Sequence, residues 1–203
     1  FFDDLYLGII KSDTEIEWNM IVVENSEDNP DPRCGHTLIY HNGELFLFGG
    51  RSDDEVFNDV YVYSIKENTW TQQFCDSNSQ PSPRYGHSAC KCGTWMVING
   101  GKDRHCYNGT FFFDMEQKKW LSFKISGDSK FRYGHKSFYL NGYFVLIGGL
   151  DHKNKPVQPS VINATKDMEW FYEDFSMKGN VPPTLFSFSI AFLNDTFYVY
   201  GGI

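Results

Sequence analysis

The chain has 203 residues, a net charge of −8, and 41% apolar against 22% charged residues, which is the composition of a globular domain and excludes a disordered chain. The acidic balance argues against nucleic acid or an anionic membrane as the main partner. No apolar run approaches the roughly 18 residues that a membrane-spanning helix needs, and the N-terminal FFDDLYLGII lacks the basic region of a signal peptide.

In chain order, short strands are predicted throughout and no helix, because no segment longer than ten residues shows helical period. The chain begins on FFDDLYLGII and a strand opening near Trp18. The first full unit has HTLIYH, ELFLF, DVYVYSI and a strand opening at Trp70, and the second has SACKC, TWMVI, TFFFDM and KWLSF. The third has KSFYL, YFVLI, a weak PSVINAT and EWFYEDF, and the chain ends on TFYVYGG.

Several markers recur along these strands with a period of about fifty residues. Glycine pairs fall at 49–50, 100–101, 148–149 and 201–202, and tryptophans fall at 18, 70, 120 and 170. His36, His87 and His135 each precede the first glycine of a pair by 13 residues. Such a period predicts a repeat architecture in which each unit is one supersecondary structure. Within the units, Asn42-Gly43 and Asn141-Gly142 predict tight hairpin turns, and Asn194-Asp195 a weaker one, because both central residues of a type I′ turn need positive φ.

Four-stranded antiparallel units with this period predict an all-β fold, a β-propeller in which each blade is buried only by stacking on its neighbours. The motifs PRCGH…GELFLFGG…NDVYVYSIKENTW, PRYGH…GTWMVINGG…FFFDMEQKKW and FRYGH…NGYFVLIGG…MEW resemble the kelch repeat over essentially the whole chain. Residues 1–203 are therefore predicted to form a single kelch-type propeller domain, with half a blade at 1–31, blades at 32–80, 81–129 and 130–180, and half a blade at 181–203. In the fourth unit, Leu185 to Phe188 replace Arg-x-Gly-His, so irregular structure is expected there.

The resemblance implies a larger ring, since kelch propellers usually close with six blades and sometimes with five or seven. The chain is then expected to be a piece of a longer propeller that lacks two or more blades. Its end sheets would expose apolar faces and unpaired strand edges. This predicts marginal stability for the chain alone, or self-association through the open blade edges.

The loops on one face of a propeller are the expected place of function. Kelch domains that bind peptides resemble one another in using the loop after the glycine pair and the loop that enters the innermost strand. Mapped onto this sequence, the entering loops give the candidate partner-binding residues Arg33, Arg84 and Arg132. The loops after the glycine pairs give Arg51, Ser52, Lys102, Arg104, Asp151 and His152.

Two interpretations of the three repeated arginines remain open. A guanidinium fork matches carboxylate or phosphate oxygens with two hydrogen bonds, so these arginines could line a pocket for an acidic peptide. Alternatively, each arginine bonds loop carbonyls of its own or the next blade, and its repetition in every unit favours that role. Arg51, Lys102 and Arg104 do not repeat in this way, and a binding role is open for them.

The sequence gives little support for a metal site or a catalytic site, and no cofactor is predicted. His36, His87 and His135 suggest a three-histidine site, but one per blade at a tight turn is typical of a structural cap. Cys90 and Cys92 share a face of a predicted strand, yet no second pair lies at zinc-ligand spacing. Five cysteines without regular spacing argue against a disulfide framework and favour a reducing compartment. No nucleophile elbow, phosphate loop or dinucleotide fingerprint is present.

The sequence therefore predicts a non-enzymatic interaction module, cytoplasmic or nuclear, that binds a protein or peptide, with an acidic or carboxylate-bearing segment as the candidate ligand. One alternative is the targeting or regulatory arm of a larger enzyme, such as a kelch-containing phosphatase or a ubiquitin-ligase receptor. Another is a metalloenzyme resembling galactose oxidase, which would need a Cys-linked Tyr with further Tyr and His ligands. No such ligand set can be assigned in this sequence.

Overall fold

A computed structural model describes residues 1–23, 28–74, 79–164, 169–174, 178–180, 185–193 and 196–202. These residues form 17 strands in five sheets. Cys75 and the turn predicted at Asn194-Asp195 lie outside the described residues. Among the described residues, no helix is long and apolar enough to cross a membrane.

The sheets follow one another in chain order. The first is a hairpin of β1 (Leu5–Ser12) and β2 (Glu15–Ile21). The second has β3 (Thr37–His41), β4 (Glu44–Arg51), β5 (Val56–Ser64) and β6 (Thr69–Gln73). The third has β7 (Ser88–Cys92), β8 (Trp95–Asn99), β9 (Thr110–Asp114) and β10 (Lys119–Leu121). The fourth has β11 (Ile125–Ser126), β12 (Lys136–Leu140), β13 (Tyr143–Ile147), β14 (Ser160–Ala164) and β15 (Trp170–Asp174), and the fifth is a hairpin of β16 (Ser189–Leu193) and β17 (Thr196–Tyr200).

These sheets confirm the predicted all-β class with four-stranded antiparallel units. In the second and third sheets, consecutive strands pair in order, and β12 to β15 repeat that order in the fourth. The weak third strand of that unit is present as β14, while β11, which lies parallel to the outer strand β15, was not predicted. The two Asn-Gly turns are confirmed, with φ of 46° and 82° at Asn42-Gly43 and 50° and 89° at Asn141-Gly142.

The repeated tryptophan packs between its own sheet and the preceding one. Trp120 on β10 is 4% exposed and belongs to a cluster with Phe46 and Phe48 of the preceding sheet. Trp170 on β15 is packed in the same way against Phe112. Trp18 on β2 is 66% exposed, because no preceding sheet covers it among the described residues. Burial of each unit therefore depends on its neighbour, as a propeller requires.

A chain of backbone hydrogen bonds links successive units near the axis. The amide of Gly86 donates to the carbonyl of Gly35 (2.9 Å), that of Gly134 to Gly86 (2.7 Å), and that of Ser187 to Gly134 (3.2 Å). Ser187 adopts the left-handed conformation of these glycines, with φ of 50°. The expectation of irregular structure at residues 185–188 is therefore wrong, because the hydrogen bonds between units hold the backbone in the repeated geometry.

Candidate functional site

The two loop classes selected from the sequence meet on one face of the molecule. In each full unit, the residue before Gly-His exchanges two backbone hydrogen bonds with the residue after the glycine pair. These pairs are Cys34 with Arg51, Tyr85 with Lys102, and Tyr133 with Leu150. The side chains that follow each glycine pair therefore start from a fixed position beside the entering loop.

The three repeated arginines lie below this face, with side chains directed into the ends of their own sheets. Arg33 is 5% exposed, and Arg84 and Arg132 are each 1% exposed. In every unit, the arginine Nη1 donates to the carbonyl of the first glycine of the pair. The distances are 3.1 Å for Arg33–Gly49, 2.8 Å for Arg84–Gly100 and 3.2 Å for Arg132–Gly148.

The remaining contacts of each arginine differ, but all lie within the protein. Arg33 forms an ion pair with Asp59 at 2.6 Å. Arg84 stacks over the rings of Tyr107 and Phe111, and burial lowers the pKa of its guanidinium to about 10. Arg132 donates to the hydroxyl of Ser160. Of the two interpretations that the sequence left open, these contacts favour the scaffold role, and burial removes the three arginines from the accessible loop surface.

Two of the repeated histidines, His87 and His135, also connect neighbouring units. His87 Nε2 pairs with Thr37 Oγ1 at 2.9 Å, and His135 Nε2 pairs with Ser88 Oγ at 2.8 Å. Both rings are buried, and desolvation lowers the pKa of His87 to about 3 and that of His135 well below its usual value. Within the part of the chain that the structure describes, no group of three or more His, Cys, Asp or Glu side chains is placed to hold a metal ion.

Gly49 has no side chain, so the Arg84 carbonyl and the His87 ring of the next unit can approach it closely. A Cβ at Gly49, which has φ of 63°, would lie 2.8 Å from the carbonyl oxygen of Arg84 and 3.1 Å from the ring of His87. Only glycine combines this left-handed backbone with so close an approach by the next unit.

The buried thiols are unsuited to nucleophilic chemistry. Burial raises the pKa of Cys90 to about 12 and that of Cys106 to about 11. Since the thiolate is the reactive form, these side chains behave as small apolar groups at neutral pH.

A row of alternating cations and aromatic rings crosses the loop face. The Arg51 guanidinium lies 4.7 Å from the Tyr85 ring of the next unit, and Lys102 Nζ lies 4.2 Å from the Tyr133 ring of the unit after that. The Tyr133 ring in turn meets Phe186 edge to face at 5.3 Å. Tyr85, Tyr133 and Phe186 were not among the partner-binding residues predicted from the sequence. The available signal was an aromatic residue before Gly-His in two of the three full units.

At Ser52 and Asp151, the second residue after the glycine pair accepts hydrogen bonds from backbone amides of its own loop. Ser52 Oγ accepts a hydrogen bond from the amide of Glu55 at 3.0 Å. Asp151 Oδ1 accepts from the amides of Lys153 (2.7 Å) and Lys155 (2.8 Å), and chiefly the Lys155 bond lowers the pKa of Asp151. Ser52 and Asp151 therefore have a structural role in addition to any contact with a partner.

A cavity of about 570 Å³, here called the loop cleft, lies between residues 102–106 and 150–154. Its lining includes Lys102, Arg104, His105, Phe131, Tyr133, Asp151 and His152. Four of the predicted partner-binding residues thus meet in one cleft, and Arg104 and His152 are exposed there. Arg51 and Ser52 lie in the loop of the preceding unit and do not line the cleft.

A second cavity of about 490 Å³, here called the axial channel, is lined by the beginnings of β3, β7, β12 and β16. Gly134 lines the channel and its neighbour Tyr133 lines the loop cleft, so the two cavities share this part of the backbone as a wall.

Comparison with known proteins shows similarity over most of the chain. A family model described as the KLHDC2/KLHL20/DRC7 Kelch-repeats domain matches residues 1–149. The chain is 28% identical over 179 residues to the Leucine-zipper-like transcriptional regulator 1 homolog of Drosophila melanogaster, a match that covers 84% of this chain and 18% of that protein. It is 30% identical over 131 residues to the Rho GTPase-activating protein gacHH of Dictyostelium discoideum, with 60% of this chain and 8% of that protein covered.

Among solved structures, that of YjhT superposes with a TM-score of 0.78 at 16% sequence identity. The match covers 98% of this chain and 66% of the YjhT chain. At this identity the likeness shows the fold alone. The chain spans less than a fifth of the length of the two curated relatives.

Proposed function

Because the chain belongs to the kelch-repeat family, whose domains generally act as protein-interaction modules, we propose that it binds an acidic or carboxylate-bearing segment of a protein partner in the loop cleft. The observation that carries this proposal is the gathering of accessible cationic side chains in one cleft of a chain whose net charge is −8.

The charges that line the loop cleft favour an anion. Lys102 and Arg104 contribute two cations, and Lys102 Nζ is held over the Tyr133 ring. The acidic residue in the described lining is Asp151, whose carboxylate already accepts two amide hydrogen bonds from its own loop. Complementary charge of this kind gives an interface its specificity and its rate of association.

The shape of the loop cleft suits a peptide side chain or a short segment. Its volume of about 570 Å³ lies within the range of ligand pockets. Phe131 and Tyr133 supply apolar walls, and the His152 ring meets Phe131 edge to face at 5.8 Å. Arg51 and Ser52 extend the same face on the neighbouring loop, and we propose that a longer segment contacts them too.

The three buried arginines belong to the scaffold in this proposal. Arg33, Arg84 and Arg132 donate hydrogen bonds to glycine carbonyls inside the fold, so they stabilise the scaffold without touching the partner.

Fluorescence anisotropy with a fluorescein-labelled hexaglutamate peptide tests the cleft. Arg104→Ala should weaken binding about tenfold, the size expected for one lost charge-assisted contact, and added salt should weaken the wild type. Lys66→Ala is a matched control, because Lys66 is an exposed cation that does not line the cleft. Equal affinities of Arg104→Ala and wild type would show that the cleft is not the site.

A second proposal is that the domain serves as the targeting arm of a larger enzyme or ubiquitin ligase. It is favoured by the small share, 18% and 8%, of each curated relative that the match covers. Sequencing the full-length transcript checks it. A catalytic or BTB-type domain in the same chain would support the proposal, and a transcript that encodes kelch repeats alone would refute it.

We also propose that the exposed end sheets pair with further strands, supplied by more repeats or by a second copy. On β1–β2, Ile10 is 77% and Trp18 is 66% exposed, and on β17 Tyr200 is 85% exposed. Sedimentation velocity of the 203-residue chain should show association that rises with concentration, and Trp18→Lys should reduce it. A strictly monomeric wild-type chain would contradict self-association.

A further inference from the structure

Lys136, which lines the axial channel, departs from the repeat. The innermost strands begin with small hydroxyl residues in three units, at Thr37, Ser88 and Ser189, and with Lys136 in the remaining one. The hydroxyls of Thr37 and Ser88 pair with the histidine ring of the following unit.

Lys136 has no histidine ring in the following unit with which to pair. The following unit carries Phe188 at the histidine position, and the Phe188 ring approaches Gly148 as the His87 ring approaches Gly49. A phenyl ring needs no hydrogen-bond partner, so the repeated interaction between units does not explain a lysine at this place.

The Lys136 ammonium is available to a ligand. The side chain is exposed in the channel, and the structure shows no hydrogen bond or ion pair for it with any described residue. The described lining contains no aspartate or glutamate. His87 and His135 stay neutral at physiological pH because burial lowers their pKa. The channel is therefore a positively charged cavity in an acidic chain.

Hydroxyl groups also line the channel. Ser187 and Ser189 are exposed and belong to the same lining as Lys136. A lysine binds phosphate as a point charge, and serine hydroxyls can donate hydrogen bonds to the phosphate oxygens. One ammonium with several hydroxyl donors therefore suits the tetrahedral oxygens of a phosphate group.

We propose that the axial channel binds a phosphate group, with the Lys136 ammonium and the hydroxyls of Ser187 and Ser189 as donors. The volume of about 490 Å³ also accommodates the group that carries the phosphate. This site is separate from the loop cleft, because Lys136 does not line the cleft and Arg104 does not line the channel.

Calorimetric titration with inorganic phosphate at low salt tests the site. Wild type should bind one equivalent, Lys136→Met should weaken binding about tenfold or more, and Ser189→Ala should weaken it less. Lys91→Met is a matched control, since Lys91 is exposed on the neighbouring innermost strand and does not line the channel. Phosphate binding that Arg104→Ala weakens and Lys136→Met leaves unchanged would place the phosphate in the loop cleft and overturn the proposal.

The source of the phosphate is distinguished by a second titration with a Gly-phosphoserine-Gly peptide blocked at both ends. Tighter binding of the peptide than of inorganic phosphate points to a phosphorylated partner segment, and weaker binding points to a free phosphate compound. The proposal is overturned if wild type binds neither probe, or if Lys136→Met and Ser189→Ala, both folded by circular dichroism, bind as tightly as wild type.

Discussion

Replacing Arg84 by methionine separates the scaffold role of the repeated arginines from a role in binding. In the wild type, Arg84 Nε donates to the carbonyl of Ser82 at 2.9 Å and Nη1 donates to the carbonyl of Gly100 at 2.8 Å. The guanidinium also lies 4.4 Å from the Tyr107 ring. Methionine fills much of the same space but leaves both carbonyls without their donor. The loss of two charge-assisted hydrogen bonds and of the cation–π contacts with Tyr107 and Phe111 should lower the free energy of unfolding by about 2–5 kcal/mol.

Urea denaturation followed by fluorescence measures this change, with Arg104→Met as the matched control. Arg104 is exposed, so its replacement should alter the free energy of unfolding by no more than about 0.5 kcal/mol. Arg84→Met should lose stability but should bind hexaglutamate as the wild type does under conditions where it is still folded. A scaffold role for Arg84 is wrong if Arg84→Met unfolds at the same urea concentration as wild type and no longer binds the peptide.

Three further changes test other parts of the scaffold. Arg33→Met should destabilise the domain more than Arg33→Met combined with Asp59→Asn, because the single change leaves the Asp59 carboxylate unpaired; equal unfolding midpoints in urea would contradict this. Gly100→Ala should cost well over the roughly 1 kcal/mol expected for Gly93→Ala, since both have positive φ but only Gly100 would clash with the next unit; thermal denaturation compares them. The pKa of His87 falls from about 6.5 when unfolded to about 3 when folded. The unfolded state therefore takes up the proton first, and stability that is present above about pH 6.5 is lost as the pH falls towards 3, by up to about 1.4 kcal/mol per pH unit. His87→Phe should show a smaller loss between pH 7 and pH 5, and an unchanged loss would show that another group is responsible.

Much of the fold can be predicted from the sequence because the repeat depends on local sequence signals. Alternating apolar strands, Asn-Gly turns and glycine pairs each constrain the backbone within a few residues. The short strand β11 escaped prediction since it pairs with β15, more than forty residues away. The regular backbone at Ser187 was not predicted for a related reason. Serine does not favour positive φ, but the hydrogen bonds between units impose it.

The candidate site was predictable only in part. Position in the motif selected Lys102, Arg104, Asp151 and His152, and the structure places these four in one cleft. The same motif selected the repeated arginines, whose burial depends on the distance between the glycine carbonyls and the entering loop. That distance is a tertiary property, as is the stacking of Lys102 on Tyr133 of the following unit. Contacts between residues about fifty positions apart do not change the local periodicity of the sequence, so this periodicity does not predict them.

Hydrogen–deuterium exchange with and without the hexaglutamate peptide tests most directly the claim that an acidic segment binds in the loop cleft. We expect slower exchange in the amides of residues 102–106 and 150–154 when the peptide is bound, with the outer strands β2, β6 and β10 unchanged. Protection confined to those outer strands, with both cleft loops exchanging as in the free protein, would contradict it.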